Sequence, residues 1–396
     1  MDFSMIADIQ QALSQEGLDG WLFYDFRQSN PLAYQILGVS QQTFYSRRWF
    51  YFVPVQGTPT ALVSAVEAHV LQNLPGQRLV FSTWQEMREH LGALLTQNTR
   101  IAMEYSPMNA IPYIARVDAG TVELVRAFGV EVVSSANIAQ RFIAQLSEAQ
   151  MESHREAGRR LMAAKDLLLR QLSADLRAGV PLDEYSVQQR FAALVQQQGL
   201  VQDEGPLVAV NGNASNPHYT PGVLTNSPIQ RGDLLLLDFW GHLPTSEAIF
   251  ADYTWMCFAG TREEVPARQR EIFALVRQAR DAGVDFIRQR LAAGATVQGC
   301  QVDDAVRQVI AQAGYGRFFV HRTGHNIGIA EHGNGANLDN FETLDERLLL
   351  PSTCCSVEPG IYLPEAGVRS ELNLLIHERD VEITGGPAQS EIVPLL

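Results

Sequence analysis

Short apolar runs alternate with helix-period segments over the first 145 residues. Trp21–Tyr24, Trp49–Val53, Thr60–Val63, Arg78–Phe81, Arg100–Met103 and Val130–Val133 read as strands. Trp84–Leu95 and Gly120–Phe128 carry the helical period between them. This order predicts an α/β domain with a mixed sheet, and no nucleotide-binding fingerprint occurs in it. The opening stretch, MDFSMIADIQQALSQEG, has the amphipathic pattern of a helix. It lacks the basic start and continuous apolar centre of a signal peptide. Arg47-Arg48-Trp49 stands out locally, and an exposed turn entering a strand accounts for it.

The pattern changes near Ser147, which places one domain at 1–146 and a second at 147–396. Ser147-Glu148-Ala149-Gln150 fits a capping box, since the serine can accept from the third helical N–H while glutamine reaches back. A long helix is expected from there to about Ala178, stopped by Gly179 and Pro181, and a second over Asp183–Gln198. Extended segments with polar ends follow: 206–210, 233–240, 248–258, 317–321, 354–362 and 368–376. Two helices, about Glu263–Ala292 and Thr296–Ala313, interrupt them.

Composition narrows the class. Apolar residues make up 46% and charged residues 19%, enough for real cores in a globular protein. A formal charge of -14 argues against nucleic acid or an anionic membrane as the main partner. No apolar run is long enough for a membrane span, and the cytoplasm is the expected compartment. Cys257, Cys300, Cys354 and Cys355 form no CxxC pair and sit in apolar surroundings, so buried reduced thiols are expected.

Acids and histidines recur where the apolar segments of the second half end or turn. Asp238 follows four leucines, Asp252 lies in AIFADYTW, Glu358 ends CCSVE and Glu371 sits in VRSELNLL. A carboxylate in such a setting is costly to desolvate unless paired or bound to a cation. Together with His325 these four carry a charge that two divalent cations balance, the arrangement used in metal-assisted hydrolysis. Oxygen-rich ligation with one nitrogen suits Mn²⁺, Co²⁺ or Zn²⁺ better than a structural zinc site. The stretch HRTGHNIGIAEHGNG also offers three imidazoles. On a helix, His321 and His325 would share one face. Gly324 and Gly328 flank the second histidine, RFFVH before it reads as strand, and no HExxH occurs, which argues against a zincin-like helix.

NPHY (216–219), DLLLLDFW…ADYTW, GHNIG…EH (324–332), EPGIY (358–362) and GVRSE (367–371) occur in the order seen in the pita-bread metallopeptidases. That family includes aminopeptidase P, prolidase, methionyl aminopeptidase and creatinase, and the chain resembles prolidase-like members most. The resemblance implies an α+β architecture: a C-terminal pita-bread domain with a curved antiparallel sheet and covering helices, after an α/β creatinase-type N-terminal domain. It implies two divalent ions per chain on Asp238, Asp252, His325, Glu358 and Glu371, with Asp252 and Glu371 bridging. Catalytic roles fall to Glu358 as general base, His332 at the oxyanion and His218 at the leaving nitrogen. His218, His321, His332, Arg369 and Tyr362 would contact substrate. The implied activity is Xaa-Pro dipeptide hydrolysis by a homodimer. An Xaa-Pro aminopeptidase, or a non-peptide amidohydrolase or lyase of the same fold, is the alternative. Two departures bear on substrate contacts and proton relay. Trp255 replaces the family's arginine, and Ile249 and Phe250 stand where a tyrosine is usual. The glycines around His325 are expected to let backbone approach the metals, and Glu331 has no assigned role.

Overall fold

The structure, a computed structural model, describes residues 3–396. The chain separates into two compact units, one ending at Ile143 and the other spanning Ala144–Leu396.

In the first unit, strands β1 (Gly20–Asp25), β2 (Trp49–Pro54), β3 (Thr60–Ser64), β4 (Gln77–Phe81), β5 (Arg100–Met103) and β6 (Glu131–Ser134) form one sheet. Their order is β4-β3-β2-β1-β5-β6, antiparallel at β1–β2–β3 and parallel elsewhere, so the mixed sheet is realised. Helices α1 (Phe3–Gln15), α2 (Pro31–Ile36), α3 (Trp84–Leu95), α4 (Ala119–Arg126) and α5 (Ala136–Ile143) accompany it. Alternation along β1 sends Trp21 and Phe23 into one core and Leu22 and Tyr24 into the other. A polar knot lies inside: Glu104 accepts from Trp21 Nε1 at 2.6 Å and Asn30 Nδ2 at 2.7 Å.

The second unit begins with α6 (Glu148–Ala178), whose start is the capping box at Ser147 and Gln150. Gly179 ends it in the left-handed region, φ 68°, where only glycine sits without strain. Then come β7 (Leu182–Asp183), α7 (Glu184–Gln197), β8 (Leu207–Val210), β9 (Pro228–Ile229), β10 (Leu234–Gly241) and β11 (Ala251–Phe258). Helices α8 (Ala267–Ala292) and α9 (Gly299–Gln312) precede β12 (Asn326–Ile327), β13 (Cys354–Val357), β14 (Gly360–Leu363), β15 (Ala366–Arg369), β16 (Leu372–Ile376), β17 (Val381–Ile383) and β18 (Val393–Pro394). Two four-stranded sheets result, β18-β11-β10-β8 and β12-β13-β16-β17, with β14–β15 and β7–β9 as small pairs.

The period of two along β10 and β11 sorts their faces. Leu235, Leu237, Tyr253, Trp255 and Cys257 pack with Leu161, Leu168 and Phe191 from α6 and α7. Leu234, Leu236, Met256 and Phe258 pack with Ile272 and Val276 of α8. Each fully buried leucine of these layers contributes about 2 kcal/mol of transfer free energy. Asp238, Asp252 and Thr254 fall on the second face by the same alternation, so the fold commits them to one side of the sheet.

Three extended segments differ from expectation. Residues 317–321 form no strand: a 3₁₀ turn covers Gly316–Phe318. Arg307 of α9 donates to the carbonyls of Phe319 and His321, taking the partners that a neighbouring strand would supply. The runs 354–362 and 368–376 each break in two, at Glu358-Pro359 and Ser370-Glu371. Proline has no N–H for the ladder, and the chain leaves the β13–β16 pair there to form the β14–β15 hairpin. The four cysteines are buried and free. No helix among the described residues is long and apolar enough to cross a membrane.

Candidate metal centre

The breaks in those strands put Glu358 and Glu371 beside the acidic face of β10–β11. In that hairpin Asp238 is opposite Thr254, and Asp252 is opposite Trp240. His325 enters from the residue before β12; its N–H donates to Ser356 Oγ and its carbonyl accepts from the Ser356 N–H on β13. A Cβ on Gly324 would run into the Ser356 carbonyl, so this glycine admits a neighbouring strand. Gly333 and Gly335 crowd the Asn326 side chain in the same way. These glycines make room for the Ser356 backbone and the Asn326 side chain beside His325.

Asp252, His325 and Glu371 each present one ligand atom, all within 4.8 Å of one another, and they are 5%, 2% and 2% exposed. Nδ1 of His325 donates to the Asn326 carbonyl at 3.1 Å, which leaves the Nε2 lone pair facing inward. That lone pair looks at Asp252 Oδ2 across 3.4 Å and Glu358 Oε1 across 3.6 Å. Oδ1 of Asp252 and Oε1 of Glu371 are buried with no hydrogen-bond partner among the described residues. Orphaned carboxylate oxygens converging on an imidazole lone pair suit a divalent cation.

Electrostatics agree. Burial, then the charges of Glu371, Asp238, Glu331 and Glu358, push the Asp252 carboxyl well above its usual range. Burial followed by Glu358 and Asp238 does the same to Glu371. Glu358 is pushed up to about 7, mainly by burial, although Arg369 and Arg322 pull it down. Burial and then His332 hold His325 well below the usual imidazole value, so it is neutral. The four carboxylates repel one another in a desolvated space, a state that bound cations relieve.

Asp238 is placed differently from the other three acids. Its Oδ2 accepts from Arg369 Nη2, while Arg369 Nε donates to Thr254 Oγ1 at 2.7 Å. Thr254 in turn donates to Glu371 Oε2 at 2.8 Å. Burial works against charge on Arg369, but Asp238, Tyr362 and Glu358 keep it protonated. His321 donates through Nδ1 to the Arg322 carbonyl and so accepts at Nε2 from the Tyr362 hydroxyl, both at 2.6 Å. His332 packs edge-on against His325, ring centroids 4.3 Å apart, with its side chain 58% exposed; this packing and the nearby Arg322 lower its imidazole. His218 is exposed on its loop, close enough to add to the lowering at His332.

The departures noted in the sequence fall outside this cluster. Trp255 points to the opposite face of β11, under the Lys165 ammonium at 3.9 Å from its ring centroid. Ile249 and Phe250 are buried in a separate core with Leu146 and Ile327. They alter packing around the hairpin and leave the carboxylate face alone. Three supporting residues escaped the sequence reading. Asn373 donates to the Asp252 carbonyl at 2.6 Å and accepts from its N–H at 2.9 Å. Thr254 links three site residues, and Ser356 bonds both His325 and Glu358. Polar residues at alternate positions of leucine-rich strands were the available signal.

Asp252, His325 and Glu371 together make the donor set of a candidate divalent-cation centre. The chain belongs to metallopeptidase family M24, whose pattern matches residues 152–378. It is 32% identical over 198 residues to an Xaa-Pro dipeptidase of Lactobacillus delbrueckii subsp. lactis, covering 50% of this chain and 48% of that one. The chain thus spans about half the length of the curated relatives it matches. Among solved structures it resembles the dipeptidase PepE from Mycobacterium ulcerans, at 22% identity and TM-score 0.66, covering 99% and 97% of the two chains. It also resembles an Xaa-Pro dipeptidase from Bacillus anthracis, at 18% identity and TM-score 0.60, covering 99% of both. The fold is the one expected from the motifs, a pita-bread α+β architecture.

Proposed function

We propose that the protein hydrolyses Xaa-Pro dipeptides, with two divalent ions held by Asp238, Asp252, His325, Glu358 and Glu371. The observation that carries this reading is the pair of orphaned carboxylate oxygens on Asp252 and Glu371, set against the His325 lone pair. The names of its M24 relatives support proline-directed dipeptide cleavage. On the same resemblance, residues 1–146 are a creatinase-type domain and 147–396 the catalytic domain of a cytoplasmic homodimer. Manganese, zinc or cobalt fits the donor set.

When bound, such ions supply the Lewis acidity that makes water a nucleophile at neutral pH. Glu358 takes the proton of that water and returns it to the leaving nitrogen, work for which a carboxyl raised by burial is suited. Neutral His332 directs an N–H at the carbonyl oxygen as charge develops there. Arg369 and Thr254 hold Asp238 and Glu371 in place, and His321 fixes the Tyr362 hydroxyl at the pocket wall. His218, on its exposed loop, contacts the substrate end.

Release of the N-terminal residue from Xaa-Pro and from longer Xaa-Pro peptides, measured with Mn²⁺, tests the reading. Faster cleavage of dipeptides is expected. Faster cleavage of longer peptides would make the protein an aminopeptidase, and no cleavage of either would end the proline reading. Sedimentation and metal analysis test the dimer and the two ions.

A further inference from the structure

Residues 211–227 join β8 to β9 and carry His218, and one buried side chain holds both ends of this loop. Glu184, the first residue of α7, is fully buried. Its Oε1 accepts from the Val210 N–H at 2.7 Å and from Asn213 Nδ2 at 3.0 Å. Its Oε2 accepts from the Tyr219 hydroxyl at 2.6 Å and from the Ser227 N–H at 2.7 Å. A carboxylate has lone pairs for all four donors, whereas an amide would turn an N–H towards one of them. Tyr219, which adjoins His218, brings this anchor into the middle of the loop. His218 is itself exposed, its N–H donating to Asn216 Oδ1 at 3.1 Å, so the loop backbone sets where its ring lies. The root of the loop is seated on the site. Ser215 Oγ donates to the Leu363 carbonyl, and a Cβ on Gly367 would meet the Ala214 carbonyl. Both contacts are with the β14–β15 hairpin, which departs just after Glu358 and returns at Arg369, two residues before Glu371.

We propose that Glu184 is the positioning residue of the substrate loop: through Tyr219 it fixes the backbone of His218, so that the imidazole meets substrate already placed. Its role rests on the Xaa-Pro reading, in which His218 contacts the substrate. A loose loop would have to be ordered at the moment of binding, and that entropy would be lost from substrate affinity. Glu184 orders it beforehand. The four donors to Glu184 include none of the five candidate ligands, so the effect falls on KM and leaves metal affinity alone.

Tyr219→Phe cuts the link to the loop and keeps the other three donors, while Glu184→Gln breaks the anchor itself. With Leu-Pro at saturating Mn²⁺, Tyr219→Phe is expected to lower kcat/KM about tenfold, chiefly through KM. In a His218→Ala background the same change is expected to do almost nothing, because the residue it places is gone. A structural defect would lower kcat/KM equally in both backgrounds, and that additive result overturns the proposal. So does an unaltered kcat/KM in Tyr219→Phe, or an Mn²⁺ affinity that falls with it. Amide hydrogen exchange supplies a readout that needs no cleavage. Residues 216–226 should exchange faster in Tyr219→Phe and in Glu184→Gln, while β10 and β11 keep wild-type protection. If exchange behaves so and no Xaa-Pro dipeptide is cleaved, the anchoring of His218 stands and only the proline reading falls. Unchanged exchange in both variants overturns the anchoring whatever the substrate.

Discussion

Nε2 of His325 and Oδ2 of Asp252 face each other across 3.4 Å, and the imidazole proton is committed on the other side to the Asn326 carbonyl. Two acceptors in a dry site hold that distance poorly unless a cation joins them. Adding Mn²⁺ to chelated protein is therefore expected to raise the melting temperature by about 3 °C at a hundredfold excess over Kd. Asp252→Ala and His325→Ala should each lower metal affinity by about a hundredfold or more, beyond the usual effect of residues outside the ligand shell. Calorimetric titration with Mn²⁺ checks both, and unchanged affinity in either variant would remove that residue from the site.

Acidity supplies a second test. Glu358 has a folded value of about 7 against 4.5 unfolded, and Asp252 and Glu371 are shifted the same way. For a raised carboxyl, the stability is fully present below the unfolded value and is lost as pH rises through the folded one. His154, buried and lowered to about 4, works in the other direction, costing stability as pH falls from 6.5 towards 4. Metal-free protein should thus lose stability as pH rises from 4.5 to about 7, a loss that His154 offsets in part below pH 6.5. Bound cations hold the carboxylates ionised and remove that loss. Glu104, raised to about 7 by burial in the first unit, contributes the same slope with or without metal. The difference between metal-free and Mn²⁺-loaded melting curves over this range isolates the centre, and parallel curves would contradict the account.

Arg369 couples three groups through one guanidinium, donating to Asp238 and Thr254 and standing 4.0 Å from Glu358 Oε2. Lysine keeps the charge but not the planar fork. Arg369→Lys is expected to lower kcat/KM roughly tenfold to a hundredfold, as for residues that orient ligands. Arg369→Ala should lower it further, because Asp238 Oδ2, in a side chain only 16% exposed, then loses its guanidinium donor. Steady-state kinetics at saturating Mn²⁺ read the two variants in order.

Much of the scaffold was legible because its signals are local. The Ser147 capping box and Gly179 bound α6 in sequence and in space, and strands β1 to β6 follow the apolar runs. Motif order carried the five candidate ligands, since each stands where an apolar run stops. What was not legible depends on partners far along the chain. Residues 317–321 look like a strand until Arg307 claims their carbonyls. Trp255 looks like a change to the active site until the register puts it on the far face.

Asn373 is the extreme case of that dependence, and it yields the last prediction. Two residues after Glu371 in a strand of leucines, it is fully buried and bonds both backbone groups of Asp252 across 121 positions of chain. A side-chain amide can accept from the N–H through its oxygen and donate to the carbonyl through its nitrogen at once. Asn373→Leu keeps the volume and orphans two buried backbone groups, at a cost of about 2–5 kcal/mol. Asn373→Asp keeps the acceptor but sets a carboxylate against the Asp252 carbonyl in an already acidic site. Both should weaken Mn²⁺ binding although neither removes a ligand, and Asn373→Leu should lower the urea midpoint of the metal-free protein as well. A leucine variant with wild-type midpoint and wild-type metal affinity would mean that the β11–β16 crosslink does not position Asp252.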